Sequence, residues 1–254
     1  MSNETTQLRR SPVKGDPRGT VVVLGGRGES ASVYERFADR IAFDGYTVVA
    51  LSDIAANPDA SIAAVQEIFA ESQGGPTVAV ASDSAVAFLL AGVDDGATTP
   101  DGIVLAGALT DGSTAPADWT TEQELDARSS CPVHRSRLVL DGVLREGALA
   151  ETSEAYVAGS ELVSRIDVPV LAFHGSEDAI SGIAAALDFY ALLSDSRTFV
   201  VDGGSHDVLN DLSHRSVAAA VVQFLERLRT PERGLTPAER SDIRFSNQRS
   251  LASA

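Results

Sequence analysis

The chain has 254 residues, 44% of them hydrophobic and 22% charged, with a formal charge of −16 at pH 7. That size suits one large α/β domain rather than two, and the acidity excludes the concentrated positive charge that nucleic acid or an anionic membrane surface requires. A single cysteine, Cys131, excludes an internal disulfide; no run reaches the roughly 18 apolar residues of a membrane span, and the polar start holds no apolar signal core, so a cytoplasmic protein is expected. Of the 20 basic residues all but Lys14 are arginine, which reads as coding bias rather than as a phosphate-binding device.

Residues 1–18 are polar and read as an N-terminal arm, ahead of one domain over 19–230. From there valine-rich apolar runs alternate with helical patterns. The runs are Thr20–Leu24, Tyr46–Leu51, Thr77–Ala81, Gly102–Ala106, Val168–Phe173 and Arg197–Val201. The helical patterns are Ser32–Phe43, Ser61–Ser72, Ala85–Gly92, Ile180–Leu193 and Ser213–Leu228. Continuous apolar strands alternating with helices predict a mostly parallel sheet of at least six strands, covered by helices on both faces. The interval at about 110–165 carries no strand pattern, only loops and short helical stretches at Thr121–Arg128 and Glu151–Ser164, and is too long for an ordinary loop, so a small helical cap is expected there. Residues 231–254, with Pro231, Gly234 and Pro237, read as a C-terminal tail.

Ligands on an open parallel sheet bind at the carboxyl ends of its strands. The first strand ends in Leu24-Gly25-Gly26-Arg27-Gly28-Glu29, which has the spacing of neither nucleotide-binding glycine motif. The fifth ends in Phe173-His174-Gly175-Ser176-Glu177-Asp178, and the last in Val201-Asp202-Gly203-Gly204-Ser205-His206-Asp207-Val208-Leu209-Asn210-Asp211.

These segments resemble the monoacylglycerol lipase and lysophospholipase branch of the α/β-hydrolases. That branch runs H-G-x-G-E-H-S-x-R-Y, then a helix, then G-Y-x-V-x-A-x-D; Gly26, Gly28, Glu29, Tyr34, Gly45-Tyr46, Val48, Ala50 and Asp53 fall in register. Gly25 stands where the family has its leading histidine, and the loop that normally follows the Asp53 position is missing. The resemblance implies an α/β-hydrolase fold and a backbone N–H at Arg27 in the oxyanion hole. His206, in a near match to G-x-x-H-E-x-L-N-E, is implied as the base. Asp178, in H-G-x-x-D, is implied as the orienting acid, with Glu177 its competitor and His174 tied structurally into the turn.

The nucleophile departs from the family. After strand Thr77–Ala81 comes Ser82-Asp83-Ser84-Ala85. A nucleophile elbow needs small residues two before and two after its central residue. Centring on Asp83 supplies Ala81 and Ala85, whereas Ser84 or Ser82 as the centre places a β-branched valine at one of these positions. Asp83 is therefore expected at the nucleophile position, with the N–H of Ser84 as the second oxyanion donor. Ser-Asp-Ser before an apolar helix also has the composition of an N-cap, and that alternative stays open.

A carboxylate attacks a saturated carbon bearing a halide or an epoxide oxygen more readily than it attacks an ester. The expectation is a cofactor-independent hydrolase of a small, largely apolar organic molecule. The alternatives are a serine esterase using Ser84 or Ser82, and a lyase, cyclase or ligand-binding protein with a degenerate elbow. Trp119, Tyr156 and His134 in the cap are candidates for lining the pocket, with Cys131 beside them. No metal site is expected, since a lone Cys and His three apart lack the ligands for one. A small molecule is the expected partner, and a homo-oligomer is compatible with the sequence.

Overall fold

A computed structural model describes residues 7–140 and 142–231. Seven strands form one sheet in the order β1-β3-β2-β4-β5-β6-β7. They are β1 (Gln7–Arg10), β2 (Thr20–Gly25), β3 (Thr47–Asp53), β4 (Thr77–Ser82), β5 (Gly102–Ala106), β6 (Val170–Gly175) and β7 (Ser196–Val201). All neighbours are parallel except β1, which runs antiparallel along β3 with Leu8 opposite Ala50. The order from β2 to β7, with a helical segment covering each crossover, is the expected sheet.

Alternation along each strand decides which face a side chain joins. Val21, Val23, Val48, Ala50, Val78, Val80, Val104, Ala106, Leu171 and Phe173 enter one core. Their sequence neighbours Val22, Leu24, Val49, Leu51, Ala79, Ala81, Ile103, Leu105, Val170 and Ala172 enter the other. Because both faces are buried, the strands read as continuous apolar runs rather than alternating ones. The first core is closed by α1 (Glu35–Phe43) and α8 (His214–Arg229), through Phe37, Ile41, Val217, Val221 and Leu225. The second is closed by α2 (Pro58–Ala70), α3 (Ala85–Asp94) and α7 (Ile183–Tyr190), through Ile62, Val65, Leu89, Leu90 and Phe189.

Strand-free among the described residues, the stretch between β5 and β6 holds α4 (Thr121–Arg128), α5 (Pro132–Leu138), α6 (Ser160–Ser164) and two 3-10 turns, Ala148–Ala150 and Glu154–Tyr156. A capping box starts α4: the Thr120 hydroxyl accepts from the Gln123 N–H while the Gln123 side chain accepts from the Thr120 N–H. Residues 7–10 of the segment expected as an arm are instead the antiparallel edge strand. The strand is four residues long and half exposed, too short and polar to stand out from sequence periodicity. The tail expected over 231–254 lies, beyond Pro231, outside the described residues. None of the described helices is long and apolar enough to cross a membrane.

Leu89 on α3 is fully buried while Leu212, in the loop before α8, is 61% exposed. Leu89→Ala is expected to cost about 2–5 kcal/mol in denaturant unfolding, and Leu212→Ala no more than about 0.5 kcal/mol.

Candidate active site

The chain passes from β2 out to β3 and then returns to the other side of β2 as β4, so the strand order switches direction between β2 and β4. The loops that follow these two strands meet in the crevice such a switch creates. After β2 comes Gly26-Arg27-Gly28, and after β4 comes Asp83. They approach so closely that a Cβ on Gly26 would lie 2.6 Å from the Asp83 Cβ, which only glycine avoids.

Asp83 has φ +55°, the only positive φ of a non-glycine residue among the described residues. A left-handed backbone costs a residue with a Cβ about 1–3 kcal/mol, so the surrounding structure must hold it there. The hold comes from both sides: the Asp83 N–H donates to the Ala106 carbonyl of β5 at 3.0 Å, and α3 starts two residues later. The Asp83 carboxylate is directed away from the helix. Its hydrogen bonds come from Arg27 and His206, while Ser84, the N-cap residue of α3, makes no side-chain cap bond.

Asp83 Oδ1 lies 3.2 Å from His206 Nε2, and His206 Nδ1 lies 2.8 Å from Asp178 Oδ2. Asp178 is fixed in turn, because its Oδ1 accepts the N–H groups of Ile180 and Ser181 at 2.8 and 2.9 Å. The structure thus brings the three residues singled out in sequence into one line, buried to 2%, 1% and 7% exposure for Asp83, His206 and Asp178. Glu177 is left off this line; Asp178 is the residue that faces the imidazole. His174 stays in the turn, with Nε2 2.7 Å from the Ser181 carbonyl, and burial lowers its pKa.

Arg27 adds a fourth member. Its backbone N–H donates to Asp83 Oδ2 at 2.8 Å. Its side chain also forks onto the same carboxylate, Nε 2.9 Å from Oδ2 and Nη2 2.7 Å from Oδ1. Nη1 donates to the carbonyls of Leu149 and Glu151 in the cap, both at 2.8 Å. The guanidinium lies 6.0 Å from the centre of the Tyr156 ring. A lone arginine between glycines is conspicuous only in retrospect: the sequence pointed to its backbone N–H, and no periodicity marks where its side chain goes.

These contacts set the charges. Burial alone would push the Asp83 carboxyl up, but the Arg27 guanidinium and the hydrogen bonds from His206 and Arg27 overcome it and hold it well below the usual carboxylate range. Burial would likewise discharge His206, yet the charge and hydrogen bond of Asp178, joined by those of Asp83, raise its pKa to about 10. At neutral pH the site is therefore a neutral quartet: two carboxylates, one imidazolium and one guanidinium.

Beneath the quartet lies a second ionic layer. The buried Arg128, at the end of α4, lies 3.5 Å from Glu29, 3.2 Å from Glu124 and 3.6 Å from Asp207, and its Nη2 donates to the Arg27 carbonyl at 2.9 Å. Glu29 accepts the Gly26 N–H at 2.9 Å and the Tyr34 hydroxyl, and burial with the nearby Asp207 charge raises its pKa to about 7. His134 belongs to this layer, its Nε2 3.1 Å from Asp207 Oδ2. Trp119 and Tyr156 instead pack on an apolar cluster of Leu109, Ala115, Ala127, Leu149 and Ile180. Ser84 Oγ is buried without a hydrogen-bond partner.

The fold is shared with known structures. A monoacylglycerol lipase from Paleococcus ferrophilus superposes with a TM-score of 0.71 at 15% identity, over 89% of this chain and 99% of that one. A monoglyceride lipase from Saccharomyces cerevisiae gives 0.70 at 14% identity, over 88% and 92% of the two chains. An esterase from Rhodococcus gives 0.68 at 17% identity, over 89% and 97%. The chain thus has the α/β-hydrolase fold. The profile of a family described as TAP-like protein matches residues 150–237, which include Asp178 and His206 but not Asp83. No curated protein matches the sequence.

A group whose folded pKa is raised contributes stability that is complete below its unfolded value and lost as pH rises through its folded value. For His206 that window runs from 6.5 to about 10. The wild-type Tm is expected to fall across it by roughly 5 °C or more, and the slope to flatten in His206→Gln, as read by thermal melts at stepped pH.

Proposed function

We propose that the chain is a cofactor-independent hydrolase of small organic substrates in which Asp83 is the nucleophile, His206 the proton carrier and Asp178 the acid that orients it. The observation that supports this reading best is the placing of an ionised carboxylate on a strained elbow, 3.2 Å from an imidazole that is itself bonded to a second carboxylate. A general base is most effective with a pKa near the working pH. Asp83, held far below that range by Arg27 and His206, suits attack rather than proton abstraction. The serine alternatives lack a base: His206 Nε2 is bonded to Asp83, and Ser84 Oγ has no partner.

In this reading Asp83 Oδ1 attacks a saturated carbon, and the carbon–halogen bond or a carbon–oxygen bond of an epoxide breaks with its electron pair on the departing atom. An epoxide oxygen takes its proton from the imidazolium of His206. A halide needs none, and His206 then loses its proton to solvent once esterification has removed the Asp83 charge that helped to hold it. Neutral His206 deprotonates a water that adds to the ester carbon of Asp83. Oδ2 becomes the oxyanion, 2.8 Å from the Arg27 N–H, and the N–H of Ser84 is the second donor proposed for it. Collapse expels the product alkoxide, which takes the proton from His206, and the carboxyl of Asp83 returns its own proton to the imidazole. Trp119 and Tyr156, half-buried on the cap side, form the apolar wall for the substrate.

Single turnover in heavy-oxygen water tests the scheme: label is expected in the Asp83 carboxylate, located by peptide mass spectrometry. Asp83→Asn should lower kcat by about 10⁴-fold or more, and His206→Gln should accumulate a protein heavier by the alkyl group. Label-free Asp83 after turnover would eliminate the nucleophile assignment.

A further inference from the structure

Resting on that reading, we infer that Arg27 is the subsite for a carboxylate carried by the substrate, which takes over the guanidinium as Asp83 is consumed. The first argument is charge. Arg27 is fully buried, and its ionic partner is Asp83. Esterification turns that partner into a neutral group. The remaining contacts of the guanidinium are the carbonyls of Leu149 and Glu151 and the face of Tyr156, and the Glu151 carboxylate, which also feels the Arg27 charge, is bonded to Arg145. Asp178 is committed to His206. An unpaired charge in a buried site is expensive, so the reaction runs far more easily when an anion arrives with the substrate.

The second argument is shape. Nε and Nη2 present two N–H groups side by side, 2.9 and 2.7 Å from the two oxygens of one planar group. That fork matches a carboxylate, whereas a monatomic halide uses it poorly. Nη1 is held by the two cap carbonyls, so the guanidinium stays in place while its partner changes. Because the fork and Asp83 Oδ1 are in direct contact, the carbon under attack must lie one or two bonds from the carboxylate. The wall proposed for the rest of the molecule is the apolar cluster of Leu109, Ala115, Leu149 and Ile180 on which Tyr156 packs. The substrate class is a short organic acid with a halide or epoxide next to its carboxylate.

The test uses the full chain and propionate as probe, with Trp119, the chain's one tryptophan, as fluorescent reporter. In Asp83→Asn the guanidinium has lost its partner, and propionate should bind at least tenfold more tightly than to wild type. Propionamide and chloride should not saturate the signal, and Asp83→Asn combined with Arg27→Gln should lose the propionate response. An equal response to propionamide, saturation by chloride, or no response to propionate would overturn the inference. If Asp83→Asn does not fold, wild type and Arg27→Gln carry the comparison. Wild type should saturate with propionate and not propionamide, with the preference gone in Arg27→Gln; a wild type that does not discriminate overturns the subsite. Turnover separates the two proposals. Hydrolysis of 2-chloropropionamide as fast as 2-chloropropionate, with label in Asp83, sinks the carboxylate subsite and keeps the nucleophile. Arg27-dependent propionate binding with turnover that leaves Asp83 unlabelled keeps the subsite and sinks the nucleophile.

Discussion

Two opposite charges buried against each other, the guanidinium of Arg27 and the carboxylate of Asp83, constrain everything around them. Their side chains are 1% and 3% exposed. Taking both ions out of water costs several kcal/mol each, which their attraction offsets only when geometry is good and the remaining donors are satisfied. Both conditions are met here: the fork is two-pronged, and the leftover Nη1 has two carbonyls. The pair also spans the place where the strand order reverses. One ionic contact therefore ties the loop after β2, the elbow after β4 and the 3-10 turn of the cap into a single unit.

The layer beneath supports the main chain of that unit rather than its side chains. Glu29 takes the N–H of Gly26, and Arg128 donates to the carbonyl of Arg27, so both peptide groups flanking the one that carries the Arg27 N–H are held by buried side chains. Asp53 adds a third tie by accepting the Gly28 N–H at 2.8 Å. A loop of three residues with two glycines would otherwise be soft. Its backbone donor points at Asp83 because charged side chains from β3, α4 and the loop itself leave it little freedom.

Much of this was legible in the sequence, for stated physical reasons. Strands buried on both faces announce themselves as unbroken valine-rich runs, and the expected Gly102–Ala106 strand and Thr121–Arg128 helix have the observed limits. Asp83 stood out because only it has small neighbours on both sides of a bend too tight for valine, and His206 and Asp178 because their loops match a family pattern. What stayed hidden depends on long-range contact. β1 is too short and polar to show a period. Pro132 marks the first turn of α5, yet Cys131 and His134 read in sequence as residues lining a pocket rather than as the helix they start. The positions of Arg27 and Arg128 are set by carboxylates up to 99 residues away in sequence (Arg128 to Glu29), for which no local pattern exists.

The His206 loop and α4 share a backbone seam: the N–H groups of His206 and Asp207 donate to the carbonyls of Ala127 and Arg128 at the end of α4, at 3.2 and 2.8 Å. A lid that merely rested on the sheet could swing aside and leave the chemistry intact. This one cannot, because lifting α4 unfastens the loop that aims the imidazole. Movement of α4 and the orientation of the His206 ring are therefore coupled, because the two sides of the seam are held by the same pair of backbone hydrogen bonds.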